Sequence, residues 1–206
     1  MKHKESNQTQ GNKNSAGKVK KSVVREWAES LLIAFILAMI IRIFAVEPFK
    51  IPTGSMRPTL LEGDIILVNK FVYGPKIPFL NFRLPGIHKP KKGEVIVFIY
   101  PENPKINFIK RLIAAGTEAL EIKNGTAYVN GKPLIGPEFN QRYYYNRGQY
   151  ALDGEKIVVP EGNFFVLGDN SASSKDSRYW GFVPEKNLLG KAMFIYWPPR
   201  RIRIIK

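Results

Sequence analysis

A serine in a tight turn and a lysine in an alternating run are the residues best suited to chemistry. Ser55 lies within residues 52–60, where glycine and two prolines favour a turn. Lys110 lies in a run with the period of a β-strand. That period places the Lys110 side chain on the same face as three apolar residues, Ile106, Phe108 and Leu112.

An ammonium group on an apolar face loses hydration, which lowers its pKa and makes a neutral amine available. A neutral amine beside a hydroxyl acts as the general base for nucleophilic attack by the oxygen. We therefore predict a Ser/Lys hydrolase with Ser55 as the nucleophile and Lys110 as the base. This prediction requires a fold that brings a turn and a distant strand together.

A polar block at residues 168–181 follows an apolar run and supplies further candidate groups. We expect Asp176 and Arg178 to pair and fix this loop, since carboxylate–guanidinium bonds are strong. A serine hydroxyl in this block is a candidate to orient the uncharged lysine amine. The alternative is an ordinary turn rich in serine and asparagine.

The composition excludes several other chemistries. The chain has no cysteine, which rules out thiol catalysis, disulfides and cysteine-ligated zinc. Its two histidines are His3 and His88, so a Ser-His-Asp triad would have to use His88. We predict no metal and no cofactor.

The net charge of +15 favours a negatively charged partner. An anionic membrane leaflet, a nucleic acid and an acidic protein all fit this charge. The basic residues are spread along the chain without a nucleic-acid-binding signature, so we predict no nucleic-acid partner.

The first 46 residues predict a membrane-anchored protein. Residues 1–25 have the composition of a disordered basic cytoplasmic tail, and residues 26–46 have about the ~20-residue apolar length of a transmembrane anchor. A buried soluble helix and a cleaved signal peptide are the alternatives, but no clear small-x-small site precedes Glu47. Because basic residues precede the apolar stretch, we expect a single-pass protein of the cell membrane with a cytoplasmic N-terminus and an extracytoplasmic domain.

Residues 47–206 predict a mainly β catalytic domain of short antiparallel strands, with a small accessory β region at about 123–165. Asn124-Gly125 and Asn130-Gly131 supply the positive φ angles of tight hairpin turns. The apolar loop at residues 77–87 is interpreted equally well as a lid over the core or as a patch that enters the membrane surface.

Four sequence blocks together resemble the ordered motifs of type I signal (leader) peptidases. They are residues 47–60, 63–71, Lys110-Arg111 and 168–181, and the similarity covers nearly all of the chain after residue 25. The family consists of membrane-anchored Ser/Lys endopeptidases that remove signal peptides from exported preproteins. The resemblance implies a signal-peptidase-like β domain preceded by one transmembrane helix, cleavage after small-x-small sequences through an acyl-enzyme on Ser55, and preproteins and the lipid bilayer as partners.

The resemblance also assigns roles by position. It implies that Ser174 hydrogen-bonds the lysine and that Thr53, with the Ser55 backbone N–H, binds the oxyanion. Asp176 and Arg178 resemble a structural pair. Four positions match the family's apolar substrate pockets: Phe49, Ile51, Val97 and Ile109. Residues 115–118 depart from the Pro-Gly-acid turn that the family commonly has after the lysine.

Two rival hypotheses belong to different classes of protein. One is another Ser/Lys protease, such as a self-cleaving repressor, which the anchor and the lack of a DNA-binding segment disfavour. The other is a non-enzymatic, membrane-tethered β module that binds anionic lipid or protein.

Overall fold

Antiparallel β-strands dominate the chain after residue 45, in agreement with the prediction of a mainly β fold. The structure is a computed structural model that describes residues 23–44, 46–75 and 82–206, with the backbone alone for 40–44. The described strands are β1 (Val46–Lys50), β2 (Ile65–Asn69), β3 (Val95–Ile99), β4 (Asn107–Ala115), β5 (Ala119–Lys123), β6 (Thr126–Val129), β7 (Lys132–Pro133), β8 (Ile157–Val158), β9 (Asn163–Leu167), β10 (Val183–Pro184), β11 (Leu188–Trp197) and β12 (Arg203–Ile204).

Two α-helices accompany these strands in the described residues, α1 (Val23–Phe44) and the single turn α2 (Ser177–Trp180). The chain divides into two compact units, one that ends at residue 38 and one formed by residues 39–206. No helix among the described residues is long and apolar enough to cross a membrane. The transmembrane anchor and the predicted domain boundaries therefore stay predictions, and most of the predicted tail, residues 1–22, lies outside the described residues.

The larger sheet determines which residues meet at the candidate site. Its strand order is β1-β2-β11-β3-β4-β9-β10, and β12 pairs with β11. Every pairing in this sheet is antiparallel, and β4 lies between β3 and β9. Strand β4 therefore contacts neighbours from two distant parts of the chain, residues 95–99 on one side and 163–167 on the other.

A second sheet of four strands, in the order β7-β6-β5-β8, uses residues between 119 and 158. Its two hairpins turn at Asn124-Gly125 and Asn130-Gly131, where all four residues have positive φ angles, as predicted. The turn at residues 115–118 also forms, with Thr117 at φ 70° and the Glu118 carboxylate accepting a bond from the Ala115 N–H. Thus a hydrogen bond closes this turn without the Pro-Gly-acid sequence.

The central strands are buried on both faces, so the core has two apolar layers beside them. Ile96 and Leu112 belong to one layer, and Val97 belongs to the other. Strand β4 begins at Asn107, and Ile106 precedes it with 44% of its surface exposed. The prediction that Ile106 shares the buried face of Lys110 is therefore wrong, because the strand does not extend to residue 106.

Candidate active site

A 3-10 turn at Gly54–Met56, shortly after β1, presents Ser55. The Met56 side chain is fully buried in the core and anchors the turn there. Asn170 fixes the turn from the other side: its backbone N–H donates to the Ser55 carbonyl at 3.0 Å, and its Nδ2 donates to the Gly54 carbonyl at 3.1 Å. The Ser55 side chain is consequently held in place, with the residue 8% exposed.

The Lys110 amine lies at the Ser55 hydroxyl. Nζ is 2.7 Å from Ser55 Oγ and 2.9 Å from the Ile109 carbonyl, and as an ammonium it donates to both. Lys110 is 4% exposed, and its pairing with Ile96 places it in the middle of the β3–β4 ladder. The two predicted residues, 55 positions apart in the chain, are thus in direct contact.

Burial lowers the pKa of Lys110 to about 8, against the opposing attraction of Asp176 and Asp169. An aromatic group lies on one side of the amine: the Phe108 ring, whose centre is 5.2 Å from Nζ, stacks on Tyr100 with 4.4 Å between centroids, and Trp180 packs against both rings. Because a lone buried ammonium is costly, this environment favours the neutral amine.

Asp176 and Arg178 form the predicted pair with both side chains fully buried. Asp176 also accepts bonds from the backbone N–H groups of Gly168 and Arg178, so it caps the start of α2. The Arg178 guanidinium donates further to Tyr145 O, Ser171 Oγ and Ser171 O at 2.7–2.9 Å. This charge pair therefore fixes the loop that contacts Ser55.

Ser174 is buried next to the nucleophile turn, but its predicted hydrogen bond to Lys110 is not formed. Ser174 Oγ has no hydrogen-bond partner among the described residues. Gly168 packs so tightly here that an added Cβ would overlap the Ser174 side chain and lie 2.6 Å from the Ser55 carbonyl. The Ser174 side chain therefore packs closely against Gly168 and next to the Ser55 turn, and its role toward the lysine stays a prediction.

The four residues predicted to line apolar pockets pack in one cluster. Ile51 and Val97 are buried there, and Phe49 and Ile109 are partly buried against them. Strand alternation places Ile109 opposite Lys110, but both faces of β4 are buried, so Ile109 still joins this cluster. Thr53 is exposed at the start of the Ser55 turn, and its hydroxyl makes no hydrogen bond within the described residues.

A second buried ion cluster beneath the site was missed by sequence reasoning. The Asp169 carboxylate accepts two bonds of 2.7 Å from Arg111 and one of 2.9 Å from Arg142. Thr59 donates to the same carboxylate. Burial raises the pKa of Asp169, but the bonds and charges of Arg111 and Arg142 outweigh it and lower that pKa overall. A charged residue inside an apolar strand, such as Arg111, signals a buried partner but does not identify it.

His88, the alternative base, has contacts with Lys89 and Tyr73. Its Nδ1 is 2.8 Å from the Lys89 carbonyl, and its ring packs edge-on against Tyr73. In the part of the chain that the structure describes, no group of histidine, aspartate and glutamate side chains is arranged to hold a metal ion.

The site thus combines a buried serine hydroxyl with a lysine amine of lowered pKa on an antiparallel β scaffold, and an amine base next to a hydroxyl is suited to nucleophilic attack by the oxygen. Residues 24–197 match the family model described as signal peptidase, peptidase S26. The chain therefore belongs to the signal peptidase family, peptidase S26, and is a hydrolase of the type I signal peptidase class.

Individual relatives agree with this family. The signal peptidase I of Pseudomonas aeruginosa is 36% identical over an alignment that covers 87% of this chain and 75% of the relative. The probable signal peptidase I-1 of Synechocystis is 36% identical, covering 86% of this chain and 85% of the relative. The signal peptidase IB of Staphylococcus aureus is 33% identical, covering 86% and 92%. A crystal structure of a signal peptidase I from Enterococcus faecalis, 32% identical, has a TM-score of 0.42 over 52% of this chain and 98% of that one.

Proposed function

We propose that this chain is a serine endopeptidase that removes signal peptides from exported preproteins, with Ser55 as nucleophile and Lys110 as general base. The single observation that carries the proposal is the 2.7 Å contact between Lys110 Nζ and Ser55 Oγ in a buried setting. The names of the relatives, all signal peptidases, supply the substrate class.

Deprotonation of Lys110 starts the reaction. With a pKa of about 8, roughly a tenth of the lysines are neutral at pH 7, and the neutral amine accepts the Ser55 proton through the existing contact. Ser55 Oγ attacks the scissile carbonyl carbon and forms a tetrahedral intermediate. The C–N bond then breaks as protonated Lys110 gives its proton to the leaving amine, and the acyl-enzyme remains. Neutral Lys110 next takes a proton from water as the water attacks the ester, and this proton passes to Ser55 Oγ when the C–O bond breaks.

The oxyanion donors in this proposal are the Ser55 backbone N–H and the Thr53 hydroxyl. Thr53 supports the assignment because its hydroxyl is exposed beside the Ser55 turn and is uncommitted within the described residues. A donor of this kind contributes about 2.7–4 kcal/mol to transition-state stabilisation in comparable hydrolases. Ser174 is assigned to orient the neutral lysine, which requires its buried hydroxyl to turn toward Nζ during the cycle.

Specificity for small-x-small sequences is assigned to the apolar cluster of Phe49, Ile51, Val97 and Ile109. Strand β1 supports extended binding because it lies at the edge of the larger sheet, where its outer side is paired with no other strand among the described residues. Because these four side chains already fill most of the space in the cluster, only small substrate side chains before the cleaved bond fit against it.

We also propose that residues 26–46 anchor the enzyme in the cell membrane, with the N-terminus cytoplasmic and residues 47–206 outside. The large apolar side chains at residues 31–37 support this, since Leu31, Ile33 and Phe35 are 63–65% exposed. Of the predicted lipid-contacting loop, residues 77–81 lie outside the described residues, whereas Phe82 and Ile87 are 56% and 76% exposed. Retention in the membrane pellet after alkaline carbonate washing is the expected result, and release into the supernatant would refute the anchor.

The decisive test is cleavage of a purified preprotein with an Ala-x-Ala site by the full chain in detergent or lipid. Ser55→Ala and Lys110→Ala are expected to lose activity, because each removes one of the two reacting groups. Ser173→Ala and Lys175→Ala are matched controls, since both side chains are exposed in the same loop. Cleavage by both site variants at the wild-type rate would refute the proposal, and lipid binding without cleavage would favour the non-enzymatic module.

A further inference from the structure

An aromatic and cationic surface lies beside the candidate site and is not used by the mechanism above. The rings of Tyr143 and Tyr145 pack with 4.9 Å between centroids, and the Arg147 guanidinium lies 4.8 Å from the centre of the Tyr145 ring. Tyr143 is 57% exposed and Tyr145 is 40% exposed. We call these three residues the tyrosine surface.

Three consecutive loop residues join the tyrosine surface to the nucleophile turn. The Tyr145 N–H donates to Ser171 Oγ at 2.9 Å, and Arg147 Nη1 donates to the Ala172 carbonyl at 3.2 Å. The preceding residue, Asn170, donates to the Ser55 carbonyl. The surface is therefore held in a fixed relation to Ser55 by a short chain of hydrogen bonds.

The sheet order places the tyrosine surface across the site from the apolar cluster. Lys110 is on β4, which lies between β3 and β9. Val97 of the apolar cluster is on β3, whereas Ser171 and Ala172, which hydrogen-bond Tyr145 and Arg147, lie in the loop after β9. A polypeptide that fills the apolar cluster and crosses Ser55 continues toward the tyrosine surface.

We propose that the tyrosine surface binds the mature-side segment of the substrate, the residues directly after the cleaved bond, and favours acidic side chains there. This inference rests on the proposed function, because it needs the cleaved bond to lie at Ser55. Exposed tyrosine rings offer flat faces on which an extended peptide stacks. The guanidinium has five N–H donors, and its bond to Ala172 orients it so that remaining donors can take a carboxylate in a bidentate manner.

The test uses peptides that are identical up to the end of an Ala-x-Ala site and carry Glu, Gln or Lys at the second and third positions after it. The wild-type full chain is expected to cleave the Glu peptide with a kcat/KM about two- to fivefold above that of the Lys peptide, the size that exposed charge pairs give. Arg147→Gln is expected to bring this ratio close to one, and Arg147→Glu to invert it.

Lys132→Glu is the matched control, because it makes the same charge change at an exposed residue of β7. Residue 132 comes after the C-terminal end of β6. Tyr144, between the two surface tyrosines, hydrogen-bonds Gly125, which comes before the N-terminal end of β6. An unchanged ratio in Lys132→Glu supports the proposal. A ratio near one in the wild type, or equal shifts in Arg147→Glu and Lys132→Glu, would overturn it while leaving the proposed cleavage activity intact.

A binding experiment separates this inference from a failure of the proposed function. Fluorescein-labelled peptides with only the mature-side sequence are titrated into the Ser55→Ala chain and followed by anisotropy, which needs no turnover. Tighter binding of the Glu peptide that is lost with Arg147→Glu supports the surface even if no cleavage is found. Equal binding of the Glu and Lys peptides contradicts it.

Discussion

The Lys110 amine lies 5.2 Å from the centre of the Phe108 ring, two residues earlier on the same strand. A ring face attracts a cation and so favours the charged form of the lysine. The pKa of Lys110 is nevertheless lowered to about 8, and desolvation is the largest cause. Exclusion of water by the surrounding core therefore outweighs the attraction of the ring and of Asp176 and Asp169.

The first prediction concerns the pH dependence of cleavage. Because the base must be neutral, kcat/KM is expected to rise as the pH increases through about 8 and to level off above it. Below that pH the rate should fall about tenfold per pH unit. Initial rates on an Ala-x-Ala peptide from pH 5 to 10 measure this, and a rate that stays flat down to pH 5 contradicts a lysine base.

The second prediction separates the stability of the fold from catalysis at Lys110. A lysine with a lowered native pKa binds fewer protons folded than unfolded between about pH 8 and 10.5, so the wild-type free energy of unfolding rises with pH across that window. Lys110→Met removes the buried amine and is expected to raise the free energy of unfolding at pH 7 by about 3 kcal/mol, while abolishing cleavage.

Denaturant unfolding at pH 7 and pH 10 tests this prediction, because the gain from Lys110→Met should shrink at the higher pH. Lys132→Met, at an exposed position of β7, is the control and should show no such pH dependence. A loss of stability at pH 7 in Lys110→Met would contradict the cost assigned to the buried ammonium.

The third prediction concerns Ser174, whose buried hydroxyl has no partner among the described residues. Ser174→Ala is expected to leave the free energy of unfolding unchanged or raise it slightly, because no hydrogen bond is lost. If this hydroxyl turns to orient the neutral lysine, kcat should fall about tenfold or more with little change in KM. Equal kcat values in Ser174→Ala and wild type would remove Ser174 from the mechanism.

The fourth prediction concerns the Asp169 cluster. Asp169→Asn leaves Arg111 and Arg142 without their buried counter-charge, so it is expected to lower the free energy of unfolding by about 3–5 kcal/mol. Because the native pKa of Asp169 is lowered, its contribution is present at neutral pH and is lost as the pH falls through that pKa. The difference between variant and wild type should therefore shrink in acid.

Asp153→Asn is the matched control for this experiment, since Asp153 is exposed and the charge change is the same. Thermal unfolding of the three proteins at pH 7 and pH 3 gives the comparison. Similar melting temperatures for Asp169→Asn and wild type at pH 7 would show that the cluster adds little to stability.

The sequence alone determined the local features of this protein. Ser55 and Lys110 were identified because a turn between prolines and a lysine in an alternating strand each have a short-range signature. The Asn-Gly hairpins and the Asp176–Arg178 pair were found for the same reason, since their partners lie within a few residues of each other. Motif order then supplied the family, which the comparisons confirmed.

Which other distant residues share the site depends on the tertiary structure and could not be predicted from the sequence. The placement of β4 between β3 and β9 brings Arg111 to Asp169, and the packing of both strand faces brings Ile109 into the cluster of Val97. Neither follows from periodicity, because strand alternation specifies a face but not the neighbour across it. Likewise, the burial that lowers the pKa of Lys110 exists only in the folded chain, where the amine meets Ser55 from a segment 55 positions away.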